Sequence, residues 1–221
     1  IHSEHLLQRI SADPDLAEYD KFWPYETSRG CPYSCTFCDW TSGLSNKVSK
    51  RQVSYEQELD LLGKYNFTNI YIADANFGLF PEDVGIAETM VRLKREKNYN
   101  WIIHGTNFSK TKKDTVFKIA EIWLEGGMLL FARFSLQDIN EQVLKNIDRP
   151  DIAWDKHLVY LLDIQKKFPN IFIALDLIKG LPGQTRETWE NIFNEMCPHN
   201  FQLEVYDWEM ISNSPASYDK D

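Results

Sequence analysis

The strongest constraint on this fold is an alternation: short apolar runs separated by helical patterns, returning about every thirty to forty residues. Tyr55, Leu59 and Leu62 fall at i, i+4 and i+7 on one helix face, and Asn69-Ile70-Tyr71-Ile72-Ala73 then reads as a buried strand. Pro81 opens a helix with Val84, Ala87 and Val91 on one side, and Trp101-Ile102-Ile103 follows as a strand. A helix through Val116, Ile119, Ala120 and Trp123 stops near Gly126-Gly127 ahead of a strand from Met128 to Ser135. Two short helical patterns precede a strand from Ile171 to Ile178, and a helix striped by Trp189, Ile192, Phe193 and Met196 leads to the last strand, Phe201 to Trp208. With Phe22 to Thr27 as the first strand, the pattern predicts an α/β fold of six βα units around a parallel sheet, a partial barrel. The loops after the strands, starting at Ser28, Asp74, Asn107, Gln137, Lys179 and Glu209, would form the active face.

No apolar stretch approaches the roughly 18 to 20 residues of a membrane-spanning helix, so no membrane partner is expected. A net charge of −9 gives no general footprint for a phosphate backbone, which disfavours nucleic acid. Three of the four cysteines crowd into eight residues, where ligation is a better reading than cross-linking, and a reducing, cytoplasmic compartment is expected. Residues 1–20 read as a lead-in with a short amphipathic stretch around Leu6 and Ile10, residues 21–214 as one core domain, and residues 215–221 as the start of a further C-terminal region of a longer protein.

The cysteine segment, Cys31-Pro32-Tyr33-Ser34-Cys35-Thr36-Phe37-Cys38, lies just past the first strand. Three thiolates in a tight loop suit zinc or an iron–sulfur centre. A closed zinc site needs a fourth ligand, and the remaining cysteine, Cys197, is far along the chain. The spacing C-x₃-C-x-aromatic-C resembles the signature of the radical S-adenosylmethionine (SAM) superfamily, whose core is a partial TIM barrel. That resemblance implies a 4Fe-4S cluster on Cys31, Cys35 and Cys38, SAM on the remaining iron, and Phe37 against the adenine.

Further segments carry the same resemblance. Ala73-Asp74-Ala75-Asn76-Phe77-Gly78 stands where the superfamily commonly has Gly-Gly-Glu, making Asp74 and Asn76 candidates for the cofactor's amino group; a helix-capping role is the alternative for Asp74. Ser135 and Gln137 end the fourth strand, where the ribose and carboxylate are held. Asp176 to Thr185 resembles the adenine-flanking segment, implicating Ile178 and Gly180, although Gln184 replaces the usual acid.

Glu26 to Gly30, Asp39-Trp40 and Asp74 to Gly78 look most like two related groups, the cobalamin-dependent methylases and the ribosomal-peptide epimerases. Trp40 to Val48 inclines the reading toward the epimerases: hydrogen abstraction at a peptide Cα and L-to-D inversion, with Cys197 as the thiol that returns hydrogen and a flavodoxin or ferredoxin as electron donor. Cobalamin-dependent methyl transfer, through a domain absent from this chain, is the alternative, and a degenerate barrel acting as a binding module is the third reading. His104, Asn107, Glu204, Tyr206, Asp207 and Glu209 are candidates for substrate contact, and Lys47, Lys50 and Arg51 form a basic cluster near the loop.

Overall fold

All six expected strands form, and each pairs in parallel with the next along the chain. The computed structural model describes residues 4–16, 22–40, 47–128, 130–149, 153–212 and 214–217. The main sheet holds β1 (Phe22–Tyr25), β4 (Asn69–Ile72), β5 (Ile102–Asn107), β6 (Leu130–Gln137), β7 (Phe172–Lys179) and β8 (Gln202–Asp207), in that order. A small antiparallel ribbon, β2 (Ser28–Arg29) with β3 (Ser49–Lys50), clasps the two ends of the cysteine loop. Gly30 makes the clasp possible: its φ is +95°, and a Cβ there would lie 2.5 Å from the Lys47 carbonyl oxygen.

The helices are α1 (Glu4–Ala12), α2 (Tyr55–Lys64), α3 (Pro81–Lys97), α4 (Lys113–Glu125), α5 (Glu141–Asn146), α6 (Trp154–Lys167) and α7 (Arg186–Met196). Local chemistry fixes their ends. The Ser54 hydroxyl accepts from Gln57 N at the start of α2, Pro81 opens α3, and Asn98 closes α3 at φ +58°. Strand alternation then supplies the core: Ile70, Ile72, Ile103, Leu130, Phe134, Leu175 and Leu177 are buried with Leu59, Met90, Ile119, Trp123, Leu161 and Ile192 of the helices. In the amphipathic stretch expected around Leu6 and Ile10, Leu7 of α1 is buried in this core and Ile10 packs against it, while Leu6 is 45% exposed.

Several boundaries differ from expectation: β1 stops at Tyr25 rather than Thr27, and β6 runs from Leu130 to Gln137 rather than from Met128 to Ser135. β5 runs four residues beyond Ile103, because the polar His104-Gly105-Thr106-Asn107 continues the pairing with β6 through Thr106 and Asn107. Gly105 is required there, since its Cβ would meet the Tyr71 ring at 2.5 Å. α6 is a full helix of 14 residues rather than a short one. Among the described residues, no helix is long and apolar enough to cross a membrane.

A second, smaller apolar cluster matters more for function. Val143, Leu144, Ile147 and Leu181 are buried together, with Phe37, Ile178 and Trp208 packed against them. It seats the cysteine loop on α5 and on the turn after β7, and Thr36 N donates to the Ile147 carbonyl at 3.0 Å. The turn Pro215–Ser217 returns to the same loop, with Ala216 N donating to Thr36 O at 2.8 Å.

Candidate active site

A cavity of about 480 Å³ opens between the cysteine loop and the C-terminal ends of the strands. Cys31, Cys35, Phe37 and Cys38 line it from the loop side; Asp74, Asn76, Asn107, Ser135, Gln137, Asp176 and Ile178 line it from the strand ends. All four cysteines are free thiols. Burial pushes the Cys31 and Cys38 thiols above their ordinary range, opposed at Cys31 by a backbone hydrogen bond at Tyr33 and by the charges of Arg149 and Lys110. Among the described residues, no three His, Cys, Asp or Glu side chains converge as they would around a single metal ion. A cluster asks less convergence of its ligands, because it presents a separate iron to each thiolate. Three sulfur donors on one wall of an open cavity fit that group and leave a position for a further ligand.

Asp74 is 3% exposed and has taken on a structural duty. Its carboxylate accepts from Thr27 N, the Thr27 hydroxyl and the Ser28 hydroxyl, each at 2.6 Å. It caps no helix. It ties the end of β4 to the chain entering the cysteine loop, and a bound amino group would share oxygens already in use. Asn76 faces the cysteines directly: its amide nitrogen lies 3.9 Å from Cys31 Sγ, while its oxygen accepts from Lys110 N at 2.9 Å.

Ser135 and Gln137 reach the cavity by different means. The Ser135 hydroxyl donates to Asp176 at 2.7 Å, and its backbone N–H to the Ser109 hydroxyl at 2.5 Å. Gln137 lines the cavity from a backbone at φ +71°, where the β6–β7 register shifts, a left-handed conformation that costs free energy for a residue with a side chain. Gly180 does not line the cavity. Its φ is +91° and its N–H donates to the Gln184 side-chain oxygen at 2.6 Å, so it shapes the turn behind Ile178.

Gln184, where the superfamily usually has an acid, explains itself by geometry. Its amide donates to Asp138 at 2.6 Å and to the Ile178 carbonyl at 3.1 Å. A carboxylate could do neither, and it would face the Asp138 carboxylate in a partly buried setting. Gln184→Glu is expected to destabilise the protein by about 1–3 kcal/mol, a loss read as a lower denaturant midpoint. An unchanged midpoint would show that this brace contributes nothing.

Other expected site residues are placed elsewhere. Cys197 caps the C-terminus of α7, is exposed, and does not line the cavity, because α7 runs back toward the start of β8, away from the strand ends that bear the site. His104 lies lower on the sheet between Phe22 and Phe131, at centroid distances of 5.5 and 5.4 Å. Lys50 pairs with Asp83, and Arg51 with Glu58, so the expected basic cluster is largely consumed by internal ion pairs. Of the substrate candidates, Asn107 and Tyr206 line the cavity; Glu204 is joined to it through Arg133, while Asp207 and Glu209 do not line it. Residues 41–46, within the segment that inclined the reading toward the epimerases, lie outside the described residues.

Among the residues at or behind the cavity that went unnoticed in the sequence, three matter most. Asp176 accepts from Ser135 and from Arg133 at 2.8 Å, and Arg133 also binds Glu204 through both terminal nitrogens, at 2.8 and 2.9 Å. Burial pushes the Asp176 carboxyl up, against the Ser135 hydrogen bond and the Arg133 charge. Arg149, 6% exposed, lies 3.8 Å from Cys35 Sγ and donates to the Ser135 carbonyl.

The family model described as "Radical SAM superfamily" matches residues 25–196. The chain is similar to the cobalamin-dependent radical SAM methyltransferase TokK of Streptomyces tokunonensis, 30% identical over 198 residues, covering 87% of this chain and 28% of that protein. It is also 28% identical over 198 residues to the 2-(S-pantetheinyl)-carbapenam-3-carboxylate methyltransferase of Streptantibioticus cattleyicolor, with the same coverage of both chains. The chain thus spans little more than a quarter of the length of these relatives. Among solved structures, coproporphyrinogen III oxidase (HemN) of Escherichia coli superposes with a TM-score of 0.65 at 18% identity, covering 98% of this chain and 50% of that one, a likeness of fold.

Proposed function

Because the chain belongs to the radical SAM superfamily, we propose that its cavity is the reaction chamber of a cobalamin-dependent methyltransferase. The superfamily implies a 4Fe-4S cluster and SAM. When bound, they supply an electron and a 5′-deoxyadenosyl radical that removes hydrogen from the substrate.

This chain's own part is binding, orientation and exclusion. Cys31, Cys35 and Cys38 would hold the cluster on the loop wall, and Phe37, backed by the α5 cluster, would offer a ring face to the adenine together with Ile178. Asn76, Ser135, Gln137 and Asp176 would supply hydrogen-bond partners to the polar parts of SAM from the strand ends. Asp74 serves mainly by fixing the loop entrance. A one-electron reductant such as flavodoxin or ferredoxin completes the system, and cobalamin would come from a domain outside this chain.

The observation that carries methyl transfer over epimerisation is the 30% identity to a cobalamin-dependent methyltransferase across 87% of the chain. Peptide epimerisation has no comparable support, and Cys197, its expected hydrogen donor, stands away from the cavity. One of the relatives is named for a carbapenam carboxylate, and on that ground we favour a small-molecule acceptor; a peptide acceptor is tested in the same assay. The experiment incubates full-length protein, reconstituted anaerobically with iron, sulfide and cobalamin, with methyl-deuterated SAM and the candidate acceptor. The expected product carries the labelled methyl group. A product with solvent deuterium at Cα and no added methyl would overturn this reading in favour of epimerisation.

A further inference from the structure

We infer that Arg149 is a positioning residue that sets the reduction potential of the cluster held by the cysteine loop. The inference rests on the cluster reading above and goes beyond it. Three observations carry it. Arg149 is almost fully buried, at 6% exposure, and so is the residue it faces, Cys35, also at 6%. One terminal nitrogen lies 3.8 Å from Cys35 Sγ, while the other donates to the Ser135 carbonyl on β6, which fixes the direction of the charge. The backbone is pinned as well: Arg149 N donates to Leu144 O at 2.9 Å, in a turn passing through Asp148 at φ +47°. The adjoining Ile147 carbonyl holds the loop itself through Thr36 N.

Charge decides what this geometry does. Adding an electron to a cluster on three thiolates increases negative charge at a buried site, and a nearby buried cation favours the reduced form. Among the described residues, Lys110, drawn over the Tyr33 ring at 5.4 Å, and the exposed Asp39 also act on the cysteines, while Asp74 and Asp176 line the far wall of the cavity, each held by its own hydrogen bonds. Arg149 is the more buried of the two cations and so the less screened by solvent and salt. Its contact is with sulfur, where hydrogen bonding and local charge tune such centres.

The test is potentiometric titration of the cluster in full-length protein without SAM, so that cofactor binding plays no part. Arg149→Gln should lower the ratio of reduced to oxidised cluster at a fixed potential about tenfold, equivalent to about 59 mV for a one-electron couple. Arg149→Lys, which keeps the charge, should restore most of that shift. Arg149→Met is the second neutral variant should Gln fail to retain iron. Loss of the cluster from both neutral variants would overturn the inference in favour of a role in holding the loop. An unchanged potential in a neutral variant with full iron would overturn the inference, as would equal loss of iron from all three variants. If the unaltered protein assembles no 4Fe-4S cluster, the cluster reading itself fails.

Discussion

Replacing any one of Cys31, Cys35 or Cys38 by Ala is expected to remove most of the iron and all formation of 5′-deoxyadenosine, while Cys197→Ala keeps both. The contrast follows from placement. The first three thiols line one cavity at the strand ends, whereas Cys197 ends a helix on the surface. Three ligands cannot become two without exposing a second iron to solvent, so the loss should approach the whole signal. The fold should survive, because the loop is seated by Phe37, Ile147 and the β2–β3 clasp, none of which the substitutions touch. Iron and sulfide assays on anaerobically reconstituted protein check the first part, and chromatography after dithionite reduction with SAM checks the second. Stoichiometric zinc in the unaltered protein, or full iron in any of the three variants, would defeat the assignment.

The parts of this molecule legible in sequence were those whose signal is periodic or locally spaced. Ile70 and Ile72 alternate, Leu59 and Leu62 share a helix face, and the three cysteines sit in one short segment, so the succession of strands and the place of the cysteine loop could be read directly. Arg149 carried no such mark. It follows a short helix in a polar stretch, and only the packing of α5 under the loop brings it to Cys35. Asp176 and Arg133 did leave a trace: each is a charge inside an apolar strand run, Asp176 two residues before Ile178 and Arg133 two before Ser135. Period-two spacing puts each on the face of its cavity-lining neighbour. Asp74 was found by position, yet its partners, Thr27 and Ser28, lie across the sheet and could not be named from the sequence.

Those partners give Asp74→Ala the largest expected effect on stability. The substitution strands Thr27 N–H, at a residue 0% exposed, and removes the acceptor of the Thr27 and Ser28 hydroxyls. At about 1–3 kcal/mol for each buried group left without a partner, the loss should reach about 3 kcal/mol or more. Urea unfolding measures it, and amide exchange at Thr27 should quicken first, since the β2–β3 clasp begins at the next residue. Acid behaviour separates the carboxylate from a neutral acceptor. Burial raises the Asp74 carboxyl above its ordinary value of 3.8, against the hydrogen bonds from Ser28 and Thr27. The folded protein therefore holds that proton more tightly than the unfolded chain, and stability falls as pH rises from the unfolded value through the raised folded one. Asp74→Asn has no such proton to lose. The advantage of the unaltered protein over Asp74→Asn should be greatest below that window and shrink as pH rises through it; a difference that stays flat would mean that the carboxylate is not buried as this structure has it.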